Sequence, residues 1–456
     1  MAHKNTRLTA AELAHLQGHL QTALEVELST VPIYLYTYYS INRSPSWNDD
    51  EKSGDVLATY ANKAGGIIMS VVVEEMLHMS LAANILRAIG GTPKVYGRSP
   101  ASFPTNLPHH KKLAPDGKPY SFGLEPLSVA QFEKFLEIEL PEKKDAKPEG
   151  NHWETLGQFY DYITEQIKRV DPAVFKHHES TQLHGENGYY APNNVDTIYP
   201  KNADWVKENG KNPMNPHPSR LTAKQAQFDN NTHSGGVRAI HSIEDAVKAM
   251  TVIKHQGEGD SVTDDEFDDK EHDEETHWYK FNALCKELAK KNSVVGKNIG
   301  QALFPSFVAN PTLLSWSKQT NGASDDVINL VNAVYSYVLL LTETSYTLSG
   351  SAQHTMFYIG MHKAMIFILD KLIGNMRYAS NYPSGFGGSG FQGLAPTFEN
   401  FQFSSISAAK SQLCALATTV NTAFPGVCDD NIYQRINDLP DVSVDPSKNL
   451  ISFATP

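Results

Sequence analysis

The stretch Val71–Gly91, VVVEEMLHMSLAANILRAIGG, is apolar nearly all round, yet it carries Glu74, Glu75 and His78 in its middle. An isolated carboxylate taken out of water neutralises itself or finds a partner, because its desolvation costs too much otherwise. A chain that buries several such groups must therefore bring their partners to one place, and that restricts the fold more than any other feature. In helical phase Ile68, Val71, Glu75, His78, Ala82, Ile85 and Ile89 share one stripe, so Glu75 and His78 are expected to face the core. Glu74 competes for a buried place beside Leu77 and Leu81, but the Glu-x-x-His spacing favours Glu75.

Glu-x-x-His alone is a weak motif, and three other pairs in the chain share it. On the first helix Glu12 and His15, with His19, lie opposite the apolar stripe Leu13, Leu16, Leu20, Leu24, Val31 and Tyr38, which reads as a solvated face. Glu149 and His152 straddle Gly150-Asn151 in a loop. Glu274 and His277, by contrast, share a face with Phe281, Leu284 and Leu288, and Glu27 fits between Leu24 and Val31 on the apolar side of its helix, whereas Glu25 does not. One Glu from each of two helices plus Glu-x-x-His from each of two others is the ligand set of a dinuclear iron or manganese site in a four-helix bundle. Glu27, Glu75, His78, Glu274 and His277 supply all but one of those ligands. For the last, Glu258 in HQGEG, where flanking glycines permit an inward turn, is preferred over Glu139, which lies with Phe132, Phe135 and Leu136 on the buried side of FEKFLEIEL.

The rest of the chain reads as all-α. A capping box from Thr9 to Glu12 opens a first helix reaching about Ile41, with Pro32 predicting a kink or local break. The second runs from about Ala64 to Ile89 and stops at Gly90-Gly91 and Pro93. Tyr96 to Leu124 is a Pro/Gly-rich loop, SVAQFEKFLEIEL and TLGQFYDYITEQIKRV are two shorter helices, and Phe175 to Asn231 is a long surface excursion. SIEDAVKAMTVIKHQ and DKEHDEETHWYKFNALCKEL form a helical pair. Beyond Pro305 come helices over about Asp326–Thr344 and Ala352–Met376, the loop PSGFGGSGFQG, and a last helix around AAKSQLCALATTVNTAF. The pattern predicts a metal-binding bundle with inserted loops over residues 1–295 and a C-terminal helical extension packed on it over 296–456.

A net charge of -12, from 39 basic against 51 acidic side chains with no Lys/Arg-rich block, argues against nucleic acid or an anionic membrane as partner and leaves a small molecule. The N-terminus reads as an amphipathic helix rather than a leader, and the late apolar runs are interrupted by polar residues, so a cytoplasmic protein without a transmembrane span is expected. Cys285, Cys414 and Cys428 are odd in number and far from any CxxC spacing, the pattern of reduced buried thiols. The acidic run DDEFDDKEHDEE lacks the glycine of a calcium loop, His272 and His277 are wrongly spaced for a zinc protease, and GFGGSGFQG lacks the Lys-Ser/Thr of a phosphate loop. His255 and His362 are candidates for contacts around the site, and Tyr34, Tyr38, Trp278 and Phe281 for its walls.

The ordered series LEVELSTVPIYLYTYYSI, EEMLHMSLAANILRAIGGTP, FLEIELPE, TLGQFYDYI, HQGEG and ETHWYKF resembles the ferritin-like proteins of the iminophenyl-pyruvate dimer synthase family, which includes enzymes of bisindole pathways. APTFENF is similar to that family's late Gly-Pro-Thr-Phe region, with Ala395 in the glycine's place, and the likeness extends over nearly the whole chain. It implies a ferritin-like four-helix bundle with metal ligands at Glu27, Glu75, His78, Glu258, Glu274 and His277. It also implies a diiron oxidoreductase of secondary metabolism that oxidises or couples an amino-acid-derived small molecule, with an amino-acid oxidase as supplying partner. Two other activities suit the same residues: manganese-dependent peroxide disproportionation, and iron binding or storage.

Overall fold

The computed structural model describes residues 7–42, 56–143, 146–176, 179–183, 237, 239–257, 276–361, 363–378 and 393–443. Among them the regular structure is helical, with only isolated β-bridges such as Thr105 with Phe122. The contacts group the chain into two units, neither a single stretch: 1–91 with 105–179 and 184–303, and 92–104 with 180–183 and 304–456.

In the first unit α1 (Ala10–Ser40) starts on the expected capping box and runs through Pro32 without a break. Helix α2 (Val56–Ala88) begins earlier than the sequence suggests, and every residue from Ala64 to Leu86 in it is buried. That accounts for a sequence with no polar face: a helix surrounded on all sides has none to keep. Its end is set by glycines. Gly90 has φ +85°, the left-handed region, and at Gly91 a Cβ would come within 2.2 Å of Leu86 Cδ1. Helices α3 (Val129–Ile138), α4 (Leu156–Ile167), α5 (Ile243–Gly257), α6 (His277–Ala289) and the short α7 (Val294–Asn298) complete the unit. Helix α1 packs along α2, α6 against α3, and α5 against α2 and α4.

Two sequence expectations change here. His19 is buried, not solvated: its ring meets Tyr162 edge-on at 4.9 Å and its Nε2 lies 3.3 Å from Asn151 Oδ1. Tyr162 belongs to α4, which covers that side of α1 and leaves His15 exposed. The sequence places DKEHDEE in the same helix as HWYKFNALCKEL; that acidic stretch lies outside the described residues, and α6 begins at His277, with Thr276 extended at the cap and its hydroxyl accepting from Tyr279 N–H.

The second unit holds α8 (Leu313–Thr320), α9 (Asp325–Ser345), α10 (Gly350–His354), α11 (Asp370–Met376), α12 (Ile406–Ala423) and α13 (Asp430–Asn437). The single helix expected over Ala352–Met376 instead contains two wider π-helical stretches, Thr355–Met361 and Ala364–Leu369. The APTFENF segment is not helical; Trp316 Nε1–H donates to Ala395 O at 3.0 Å and Thr397 bonds Asn332. Helices α2 and α9 are long and apolar enough to cross a membrane, but their apolar windows are 100% and 83% buried within the fold, the setting of core helices. Cys285 and Cys428 are buried free thiols; Cys414 is only half-buried.

Candidate metal centre

The three carboxylates that could hold a metal at the centre of the first unit each come from a different helix. Glu27 comes from the middle of α1, Glu75 from the middle of α2, and Glu139 from the residue that caps the C-terminus of α3; all are buried. His78 stands one turn after Glu75, and His277 is the first residue of α6. These side chains form two groups, Glu27 with Glu75 and His78, and Glu75 with Glu139 and His277; within each, one ligand atom per residue lies within 4.8 Å of the others. Glu75 belongs to both. His78 Nδ1 is 3.7 Å from Glu27 Oε2 and 3.7 Å from Glu75 Oε1. His277 Nδ1 is 2.9 Å from Glu75 Oε1 and 3.5 Å from Glu139 Oε2. The two imidazole rings lie nearly parallel, 5.5 Å apart.

Hydroxyls and outer side chains hold the groups of this centre. Tyr160 OH donates to Glu27, Thr30 OH to Glu75 and Tyr34 OH to Glu139. His78 Nε2 meets Gln256 Oε1 at 3.0 Å, and His277 Nε2 meets Glu74 Oε2 at 2.8 Å. Glu74 is in turn held through both oxygens by the buried Lys280 ammonium, at 2.9 and 2.6 Å. On the Glu139 side the rings of Tyr34, Phe135 and Phe281 pack with centroids 4.6 to 5.2 Å apart, which excludes water there.

Among the described residues the charges of the centre are not balanced. Lys280 neutralises Glu74, which leaves Glu27, Glu75 and Glu139 facing two imidazoles. Burial pushes the Glu27 carboxyl up to about 7, and burial together with the Glu27 charge pushes Glu75 upward. Glu74 goes the other way: against burial, Lys280 and His277 hold it at about 2. Burial lowers His78; His277 is held well above its ordinary value, because Glu139 and its neighbours outweigh burial. His277 Nδ1 makes no hydrogen bond, although it lies within hydrogen-bond distance of Glu75. A buried nitrogen without hydrogen-bond geometry to its neighbours, beside three carboxylates that pair with no lysine or arginine among the described residues, is what a divalent cation would complete. Carboxylate oxygens with imidazole suit iron or manganese.

Of the residues expected from sequence, Glu27, Glu75, His78 and His277 are brought together, and so is Glu139. Glu258 and Glu274 lie outside the described residues, as do His362 and the run DDEFDDKEHDEE. Gly257, which precedes Glu258, lies against the cluster: a Cβ there would be 3.5 Å from Glu139 Oε2. Tyr34 and Phe281 stand at the site, Tyr38 packs on Tyr39, and Trp278 and His255 are half-buried. Sequence reasoning missed Lys280, Gln256, Tyr160 and Thr30. Lys280 alone left a clear sign, a charge inside the stripe His277, Phe281, Leu284.

A dichlorochromopyrrolate synthase from Lentzea aerocolonigenes is 22% identical over 388 residues, covering 78% of this chain and 33% of the synthase. The chain thus spans about a third of that relative's length. A solved ferritin-like protein from Caulobacter vibrioides is similar over 79% of this chain and 95% of its own, at 18% identity and a TM-score of 0.47. The ferritin-like family model matches residues 20–286, a span that begins inside α1, ends inside α6 and holds every residue of the centre. By that match, which takes in well over half of its length, the chain belongs to the ferritin-like family.

Proposed function

We propose that this chain is a metal-dependent oxidative enzyme of secondary metabolism, of the iminophenyl-pyruvate dimer synthase type, with a dinuclear iron site. The observation that carries the reading is the pair of buried ligand groups sharing Glu75, each with a histidine whose second nitrogen is engaged elsewhere. Glu27, Glu75, Glu139, His78 and His277 would hold the metal, with Glu258 and Glu274 as further candidates. Bound there, iron supplies oxidising power drawn from dioxygen or peroxide. The protein contributes position: Tyr160, Thr30 and Tyr34 fix the carboxylates, Gln256 and Glu74 fix the imidazoles, and the aromatic rings keep one side dry.

The substrate class is a small amino-acid-derived molecule, supplied by a partner amino-acid oxidase, and the setting is the cytoplasm without membrane or nucleic acid. Support comes from the likeness to a synthase of dichlorochromopyrrolate and from the acidic balance of the chain. The oxygen-rich donor set favours manganese as a second reading, with peroxide disproportionation as its chemistry.

The test is elemental analysis of protein from iron-supplemented cells, beside Glu75→Ala and His277→Ala variants that remain folded. About two irons per chain, strongly reduced in both variants, with repeated turnover of an organic substrate, is the expected result. Manganese with peroxide turnover alone moves the second reading forward, and iron uptake without turnover leaves binding or storage. A parent that takes up neither metal overturns the proposal.

A further inference from the structure

Adjacent acidic residues on a buried helix raise a question of selection: both Glu74 and Glu75 are buried on α2, yet they meet different groups. Glu75 lies in both candidate ligand groups, whereas Glu74 lies in neither. Lys280 accounts for the difference. Its ammonium, on the first turns of α6, is bonded to both Glu74 oxygens at 2.9 and 2.6 Å, and both side chains are buried. Held in this way, Glu74 still offers Oε2 to His277 Nε2 at 2.8 Å. A carboxylate can only accept, so Nε2 keeps its proton against Glu74, and Nδ1 is the nitrogen whose proton a cation would displace and whose lone pair would face it. Nδ1 is the atom that has no hydrogen bond and lies 2.9 Å from Glu75 Oε1 and 3.5 Å from Glu139 Oε2.

We propose that Glu74 and Lys280 are a positioning pair. Lys280 withdraws Glu74 from the centre, and Glu74 sets the tautomer and ring plane of His277 so that Nδ1 faces Glu75 and Glu139. The inference rests on the metal-centre reading above and adds which neighbouring residues order the site. Neither residue touches the metal or a substrate.

The two roles of a buried ion pair separate in a double variant. Replacing both members by apolar residues of similar size often leaves stability unchanged or improves it, while removing one member strands the other's charge. Glu74→Leu/Lys280→Met in the full chain is therefore expected to fold with an unfolding midpoint at or above the parent's. It leaves His277 Nε2 without its acceptor, and loss of such an outer partner weakens metal affinity about 10–100-fold. The measurement is anaerobic titration with Mn(II) alone by calorimetry, for the parent, Glu75→Ala and the double variant, with circular dichroism melting of each metal-free protein. Weaker Mn(II) binding at unreduced stability supports the pair. Mn(II) binding like the parent's in the double variant overturns it while leaving the metal centre intact. A parent that does not bind Mn(II), or binds it no better than Glu75→Ala, overturns the metal reading itself and the pair with it.

Discussion

At the residue scale, the unbalanced charge at Glu27 can be measured directly in metal-stripped protein. Its carboxyl, buried and facing Glu75, Glu139, His78, His277 and the Tyr160 hydroxyl, titrates near 7 in the fold instead of its ordinary 4.5. The fold therefore prefers the protonated acid: that stability is fully present below about 4.5 and is lost as pH rises through about 7. His78, lowered by burial, acts in the opposite sense over part of this window, so a single melting curve would mix the two. A Glu27→Gln variant isolates the effect, and its stability relative to the parent should grow by on the order of 3 kcal/mol across that window in denaturant titrations. Equal pH dependence in the two proteins would show that Glu27 ionises freely. Gln256 makes a second case: Gln256→Leu removes the acceptor at His78 Nε2 and should weaken Mn(II) affinity about 10–100-fold without unfolding the chain. Glu27, Glu75, His78 and His277 were legible because an ionisable group inside an apolar stripe contradicts its surroundings. Gln256, Tyr160 and Thr30 were not, because a residue able to hydrogen-bond in many settings does not announce which neighbour it will meet.

At the scale of elements, legibility follows how local the determinant is. The start of α1 was readable because Thr9 and Glu12 cap it within one turn: Glu12 N–H donates to the Thr9 hydroxyl, and Thr9 N–H donates back to Glu12 at 2.8 Å. The start of α6 was not, since acidic residues before it suit a helix as well as a loop, and Thr276 has a tyrosine, not a Glu, at the reciprocal position. The cap of α13, Asp429 accepting from Ile432 N–H at 2.8 Å, has a local signature in Asp429, Ile432 and Ile436. The π-helical stretches beyond α10 keep an apolar pattern that an ordinary helix would also satisfy, so spacing could not separate the two. The cap of α1 is testable. Thr9→Ala should cost about 1 kcal/mol in denaturant unfolding. Backbone and side-chain hydrogen bonds from Thr9 and Arg169 hold Glu12 at about 2, so its contribution is present above about 4.5 and is lost as pH falls through about 2. Acid unfolding of Glu12→Gln should lack this component; an unchanged acid profile would mean that the capping carboxylate adds nothing measurable.

At the scale of the whole molecule, grouping of remote segments was out of reach of local patterns: nothing within residues 92–104 or 180–183 states that they belong with 304–456. Concentration of charge was partly within reach. Among the described residues, the buried carboxylates are Glu27, Glu74, Glu75 and Glu139, and the buried lysine or arginine is Lys280. All of them lie at the candidate centre, so among the described residues the buried charge is gathered in one place with one cationic side chain against four carboxylates. Two opposite effects of one substitution follow. In metal-stripped protein Glu75→Gln removes a negative charge from beside Glu27 while keeping an acceptor for Thr30, so it should melt at or above the parent. Once Mn(II) is added, a cation that binds only the folded parent stabilises it by about 2.7 kcal/mol at a hundredfold excess over Kd, and the variant, lacking the shared ligand, should scarcely move. The order of the two melting temperatures should therefore reverse on adding metal and return on chelation. A variant that melts higher under both conditions, beside a parent unmoved by Mn(II), would mean that these carboxylates form a polar core whose cost no cation relieves.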